Sequence, residues 1–218
     1  MISLLLSASL GLAADSGPVD LGAIKPSEVK VVQKMLYTKA GRSEMGAHLG
    51  AIPFDGFTLG LQGAGTYARH TSDSLGWEVQ VGAGWGFKTP TYDLLESPTY
   101  GVAVEAYHYL ASAQATVEYA PVYAKMKVGN RVIHHDLYVL GGAGGTLERS
   151  VLEGHDLSVS PTLPLGVGAR VWLAKDRALR VELRENLMLQ HRVQSDTWGF
   201  KQNAIVSVGV TSFDKAKK

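Results

Sequence analysis

Apolar residues alternate with small or polar residues along most of the chain after Arg42. Two segments display this period most clearly, DGFTLGLQGAGTYA and GWEVQVGAGWGF. Their large apolar side chains fall on odd positions, and Gly, Ala, Thr, Gln and Glu fall on even positions. Successive side chains of a strand point to opposite faces of a sheet, so the period predicts β-strands with one apolar face.

The same period recurs to the end of the chain and predicts eight strands. Their predicted ranges are 42–52, 55–68, 75–87, 113–127, 132–146, 157–173, 178–190 and 198–213. Eight strands joined in sequence by turns and loops are typical of a small up-and-down antiparallel barrel. We therefore predict an all-β fold, an eight-stranded antiparallel β-barrel.

The composition of the two faces indicates which one points outward. A soluble barrel turns its large apolar side chains inward and its polar side chains to water. Here the second face carries Gly, Ala, Gln, Glu and Arg, which suits the narrow interior of an eight-stranded barrel better than a solvated exterior. Apolar-out and polar-in alternation is the pattern of a transmembrane barrel.

Aromatic residues at the ends of the apolar face support this orientation. Phe57 and Tyr67 are separated by ten residues, and so are Trp77 and Phe87. At ~3.3 Å per residue and ~40° tilt this distance covers roughly 25 Å, the height of the apolar band of an outer-membrane barrel. The predicted lipid-facing girdle consists of Phe57, Tyr67, Trp77, Trp85 and Phe87.

Composition narrows the class further. The chain has 218 residues, 25 Gly, 19% charged residues, no Cys and a formal net charge of +1. This charge gives no electrostatic reason to expect a nucleic-acid partner, and the absence of Cys excludes a disulfide framework. No apolar run approaches the ~20 residues of a membrane-spanning helix.

The first residues, MISLLLSASLGLAA, are apolar or small and resemble a secretory signal, although a basic n-region is missing. A buried N-terminal strand or helix is the alternative. We predict a signal peptide at 1–14, a periplasmic N-terminal segment at 15–41 and the barrel at 42–218. A longer connection over 88–110 is expected on the outside of the cell, where AVEAYHYLASA could form a helical turn.

Charged residues on the inward face form a predicted ion cluster in the lumen. Its members are Glu44, Glu78, Glu118, Arg170, Arg180, Glu182 and Arg184. Buried charges must pair, because an unpaired ion costs several kcal/mol. The cluster is expected to fill and close the lumen, with a gated ion path or ligand site as the alternative. Alternation would point Glu185 at lipid, so a bulge or a place near the rim is expected there.

Other motifs give weaker indications of chemistry. In His134-His135-Asp136 the two imidazoles should lie on opposite faces and cannot easily share one metal ion. Gly141–Gly145 resembles a phosphate loop only in composition and is expected to serve close strand packing. A Ser–His–Asp hydrolase site has no Gly-x-Ser-x-Gly motif to support it. No catalytic, metal-binding or cofactor-binding residues are predicted.

Several short pieces of the chain have a pattern found in a known family. They are Val31-Val32-Gln33, Lys39-Ala40-Gly41-Arg42, Glu44, Asp55, and Tyr67 before Glu78; Pro121–Lys125, Asp136 and Arg180–Glu182–Arg184 fit more loosely. With these pieces the chain resembles the outer membrane β-barrel domain family of myxobacteria and related δ-proteobacteria. The resemblance implies a Gram-negative outer-membrane protein, inserted by the barrel assembly machinery and without enzymatic activity. It also implies a role at the cell surface, in some members within machines such as gliding motility.

These observations together favour a non-enzymatic structural anchor or scaffold for cell-surface interactions. The expected partners are outer-membrane lipid, the assembly machinery and other envelope proteins. A small channel or carrier for ions or hydrophobic molecules is the alternative.

Overall fold

The computed structural model describes residues 35–152, 156–192 and 195–214. The predicted signal peptide, 1–14, and residues 15–34 of the predicted periplasmic segment lie outside the described residues. Residues from Tyr37 onward belong to one compact unit, which contains the barrel.

Eight antiparallel strands close into a barrel. In chain order the elements are β1 (Ser43–Ile52), β2 (Thr58–His70), β3 (Leu75–Lys88), α1 (Pro90–Glu96), β4 (Tyr107–Val128), β5 (Arg131–Ser150), β6 (Leu157–Trp172), β7 (Arg177–Arg192) and β8 (Thr197–Phe213). Each strand pairs with the next, and β8 pairs with β1. The predicted eight-stranded antiparallel barrel is confirmed.

The connections lie alternately at two ends of the barrel. The terminal end holds the start of β1, the end of β8 and the links 71–74, 129–130 and 173–176. The loop end holds the links 53–57, 89–106, 151–156 and 193–196. The two-residue link at the terminal end is possible because Gly129 takes a φ of 58°, which costs glycine little.

The long connection differs in detail from its prediction. It covers 89–106, and residues 107–112, expected to contribute to a helical turn, form the start of β4 instead. The helix lies earlier, because Thr89 caps it by accepting a hydrogen bond from the backbone N–H of Tyr92 and Pro90 begins it. No helix in the described part of the chain is long and apolar enough to cross a membrane.

Strand alternation divides the barrel into an apolar outside and a polar inside. Along β2 and β3 buried and exposed residues alternate almost without exception, and the odd positions are the exposed ones. Val81 is 60% exposed, for example, while its neighbour Gln80 is 6% exposed. Arg170 and Arg180 are among the largest fully buried side chains. The interior of the barrel is therefore a polar core, not an apolar one.

Candidate functional site

Arg170, on β6, is a centre of charge pairing in the lumen. It is fully buried, and its Nη2 lies 2.9 Å from Glu118 Oε2 and 3.0 Å from Glu44 Oε2. Its Nη1 lies 3.0 Å from Asp136 Oδ2. One guanidinium thus joins carboxylates from β1, β4 and β5, because its five N–H donors can serve several acceptors at once.

A second group of ions runs along one face of β7. Arg180 Nη2 lies 3.0 Å from Glu182 Oε2, and Arg184 Nη2 lies 2.8 Å from Glu182 Oε1. Glu78 comes from β3, across the barrel, and lies 2.5 Å from Arg180 Nη1 and 3.0 Å from Arg184 Nη2. The hydroxyl of Tyr138 donates to Glu182 at 2.9 Å. Cross-barrel pairs of this kind tie opposite walls together.

The structure brings all seven residues of the predicted ion cluster together and adds three more. We use the name lumen cluster for Lys39, Glu44, His70, Glu78, Glu118, Asp136, Arg170, Arg180, Glu182 and Arg184. Five carboxylates face four Lys or Arg side chains and one imidazole. Every carboxylate of the lumen cluster has a basic partner within 3.0 Å, as buried ions require.

Lys39, Asp136 and His70 join the lumen cluster although the strand pattern did not predict them there. Lys39 precedes the first strand, so no alternation indicates its direction, yet it is 4% exposed and its Nζ donates to Asp136. His70 Nε2 lies 2.8 Å from Glu44 Oε2. The predicted strand 55–68 does not include His70, whereas β2 continues to it. The phase of β5 could have revealed Asp136, which shares the inward face with Tyr138.

Residues 39–42 close the terminal end of the lumen. The backbone N–H of Lys39 donates to Asp73 Oδ1 at 2.7 Å, while its ammonium reaches inward. Arg42 Nε donates to the carbonyl of Asp214 at 2.8 Å, and its Nη1 donates to the carbonyl of Lys175 at 3.2 Å. These bonds fix the entering chain to two neighbouring links and to the end of β8, and they hold Lys39 at the terminal side of the lumen cluster.

Above the lumen cluster lies a layer of uncharged polar residues. Arg184 Nη1 donates to Gln114 Oε1 at 2.8 Å, and Gln114 Nε2 donates to Asn186 Oδ1 at 3.1 Å. The hydroxyls of Thr146 and Thr162 are 2.8 Å apart. Amide and hydroxyl groups therefore continue the hydrogen bonding from the lumen cluster towards the loop end without further charge.

A separate ion pair occupies the loop end. Glu148 is fully buried, and its Oε1 lies 3.1 Å from Lys201 Nζ. Lys201 also lies 3.3 Å from Asp55 Oδ2, and Gln190 Nε2 donates to Glu148 Oε2 at 2.5 Å. A cavity bordered by these charges has a volume of about 10 Å³, room for about one water molecule. The loop end is narrow but more open than the lumen cluster.

The histidine motif has the geometry expected from strand alternation. His134 is 6% exposed, and its Nδ1 lies 2.8 Å from the hydroxyl of Tyr123. His135 lies on the other face of β5. Within the residues that the structure describes, no group of three His, Asp or Glu side chains could hold a metal ion.

The glycine run serves strand packing, as predicted. Gly142 and Gly144 lie within β5, against β4. A Cβ atom at Gly142 would lie 2.0 Å from the carbonyl oxygen of Ala115, and one at Gly144 would lie 2.4 Å from that of Ala113. Only glycine permits this close approach of the two backbones.

Glu185 departs from its prediction. The pairing of β7 with both neighbours is regular there, opposite Leu165 on β6 and Ala204 on β8, so there is no bulge. Glu185 also lies near the middle of its strand, not at the rim. The alternation is simply kept, and a carboxyl group is placed on the apolar outer face.

Exposed aromatic residues border that outer face at two levels. Towards the terminal end they are Tyr67, Trp77 and Tyr119; towards the loop end they are Trp85, Phe87, Trp198 and Phe200, with Phe57 partly buried just before β2. Between the two levels lie exposed Leu and Val residues such as Leu61, Val79 and Val81. An apolar band between aromatic girdles around a polar lumen defines a transmembrane β-barrel of the bacterial outer membrane.

Comparisons with solved structures found several similar chains. The structure is similar to the N-terminal β-barrel domain of Pseudomonas aeruginosa OprF, with 10% identity, a TM-score of 0.49, and coverage of 80% of this chain and 98% of that chain. It is also similar to Neisserial surface protein A, NspA, with 13% identity, a TM-score of 0.49, and coverage of 78% of this chain and 95% of that chain. A third similar structure is the attachment invasion locus protein Ail of Yersinia pestis, with 14% identity, a TM-score of 0.47, and coverage of 80% of this chain and 99% of that chain.

Comparisons at the level of sequence do not identify a family. No family model matches the chain, and no curated protein matches it. The resemblance to the myxobacterial family stays a prediction.

Proposed function

We propose that this protein is a non-enzymatic anchor or scaffold in the outer membrane that carries surface interactions on its loop end. The observation that supports this most is the filled lumen. The lumen cluster joins opposite walls of the barrel through Arg180 and Arg184, Arg170 links β6 to β1, and Lys39 completes the cluster on its terminal side. Such a barrel is suited to holding a fixed position in the membrane, not to passing a solute.

The long connection at the loop end offers a surface for partners. Helix α1 and the residues after it expose Leu94, Tyr100 and Val102, which are 56%, 57% and 48% exposed. Loops on a rigid scaffold commonly carry binding residues. We infer that other envelope proteins contact this connection, and that lipid and the barrel assembly machinery contact the outer wall.

The proposal includes the absence of enzymatic activity. General acid–base catalysis needs a carboxyl or imidazole group free to exchange a proton with a substrate. The carboxylates of the lumen cluster instead accept from Arg, Lys or His, and Glu182 also accepts from Tyr138. We also propose membership in a surface machine such as that of gliding motility, and this part of the proposal rests on the family resemblance alone.

Conductance in planar bilayers tests the anchor against the channel. We expect the folded wild-type chain, identified by heat-modifiable migration, to give no discrete conductance steps at neutral pH. Regular steps from the wild-type chain would contradict the anchor and favour the channel.

Surface labelling tests the use of the loop end. Because the chain has no Cys, Thr99→Cys should react with a membrane-impermeant maleimide on intact cells. Lys175→Cys, at the terminal end, is the matched control and should react only after lysis. The reverse pattern would place the loop end in the periplasm and remove the basis for surface interactions.

A further inference from the structure

The outer wall of β5, β6 and β7 differs from the rest of the barrel. The aromatic residues of these three strands are Tyr138 and Trp172, and both are buried in the interior. The exposed girdle aromatics lie instead on β2, β3, β4 and β8. Aromatic girdles mark the parts of a barrel wall that meet the lipid interface. Three adjacent strands without them suggest a wall that meets something other than lipid.

Glu185 lies on β7, at the edge of this wall that borders β8. It occupies the middle of β7, between Leu165 and Ala204, on a surface made mostly of aliphatic side chains, with Gln202 as an outward-facing polar neighbour on β8. Its Oε1 is buried and has no hydrogen-bond partner among the described residues. Beside it is an apolar groove of about 420 Å³, which Phe54 also borders. The small side chain of Ala204 leaves room for close approach on one flank.

Lipid cannot satisfy this carboxyl group. Hydrocarbon supplies no donor or acceptor, and an ionised carboxylate there costs far more than a neutral acid. The neutral acid presents one O–H donor and one acceptor oxygen. It is therefore self-complementary: a second identical group, turned by a two-fold axis, satisfies both functions at once.

We propose that two copies of this chain associate in the membrane through the outer walls of β6 and β7 and the part of β8 beside Ala204, with their Glu185 carboxyl groups paired across a two-fold axis. Trp198 and Phe200 of β8 lie nearer the loop end, outside this contact. A two-fold interface uses the same patch on both copies, so a residue on the axis meets itself. In contacts between transmembrane helices, small residues let the two backbones approach closely, and hydrogen bonds between polar side chains strengthen association in lipid. We expect the same two effects between barrel walls.

Cysteine cross-linking tests the geometry in the otherwise Cys-free full chain. Ala204→Cys, beside Glu185, should form a covalent dimer in vesicles at high lipid-to-protein ratio. Ala83→Cys is the matched control, because Ala83 also faces outward from mid-strand, on β3, away from β7. Equal cross-linking at both positions, or none at Ala204→Cys, would overturn the proposal.

Substitution of the carboxyl group tests its chemistry. Energy transfer between labelled copies in vesicles should report association of the wild-type chain. Glu185→Gln keeps a donor and an acceptor and should retain most of it, whereas Glu185→Leu should weaken it about tenfold or more. Heat-modifiable migration confirms that each variant is folded. Undiminished association of Glu185→Leu, or a monomeric wild-type chain, would overturn the proposal.

Discussion

The two halves of the lumen hold the barrel together by different means. In the terminal half, ten ionisable side chains form one connected network that reaches across the barrel, as with Glu78 and Arg180. In the loop half, one buried carboxylate among the described residues, Glu148, pairs with Lys201, which is 18% exposed and also pairs with Asp55. Between the halves lie uncharged amides and hydroxyls.

The difference teaches where stability is concentrated. In the terminal half, removal of one ion leaves several oppositely charged partners buried without compensation, which lowers the free energy of unfolding strongly. In the loop half, water and neighbouring amides can hydrogen-bond the remaining partner, so the free energy of unfolding falls less. We therefore expect substitutions in the lumen to differ strongly in cost according to their depth.

The largest effect is expected from Arg170→Met. This change leaves Glu44, Glu118 and Asp136 without their shared guanidinium in the closed half of the lumen. Breaking one buried pair costs ~3–5 kcal/mol, so the loss should reach the upper part of that range or exceed it. Denaturant unfolding from lipid vesicles measures it.

Arg177→Met is the control for that experiment, because Arg177 is exposed at the terminal end of β7. Its free energy of unfolding should remain within ~0.5 kcal/mol of the wild-type value. A loss below about 1 kcal/mol for Arg170→Met would contradict the claim that stability is concentrated in the ions of the terminal half.

An intermediate effect is expected on the outer wall. Val81→Arg places a charge about midway between the two aromatic levels and should cost ~2–4 kcal/mol of unfolding free energy, whereas Leu75→Arg, at the start of the same strand, should cost ~0–1 kcal/mol. Equal costs in a lipid-folding titration would mean that the apolar band is misplaced. Gln80 is unsuitable as a lumen control because Arg184 donates a hydrogen bond to it.

The smallest effect is expected from Lys201→Met. Glu148 keeps its hydrogen bond from Gln190, and Lys201 is already partly exposed to solvent. Because Glu148 stays buried with neutral donors only, the change should cost about 1–3 kcal/mol of unfolding free energy, less than Arg170→Met. A loss as large as that of Arg170→Met, in the same unfolding assay, would erase the contrast between the halves.

Much of this arrangement is accessible from sequence because a strand has a period of two. Once Val81 and Leu183 are assigned to lipid, Glu78 and Glu182 must point inward, and a narrow barrel forces them onto the arginines. The same rule correctly separated His134 from His135. Pairing across the barrel, such as Glu78 with Arg180 and Arg184, depends on closure and stagger, which the alternation of one strand does not contain.

Two failures have different physical causes. Lys39 lies outside any strand, so its direction is decided by the bonds of its backbone to Asp73 and by the charge that it meets at Asp136. Glu185 was expected at a bulge or a rim because a carboxyl in hydrocarbon is unfavourable. The strand kept its register instead, which is why this residue calls for a partner outside the chain.

A matched pair of substitutions tests the contrast between the halves most directly. Glu182→Gln and Glu148→Gln both remove one buried carboxylate and keep the shape of the side chain. Glu182 bonds Arg180 and Arg184, whereas Glu148 bonds one lysine and neutral groups. In denaturant unfolding from lipid, Glu182→Gln should cost ~3 kcal/mol or more and Glu148→Gln about 1 kcal/mol. Equal costs, or a larger cost for Glu148→Gln, would contradict a barrel held chiefly by the ions of its terminal half.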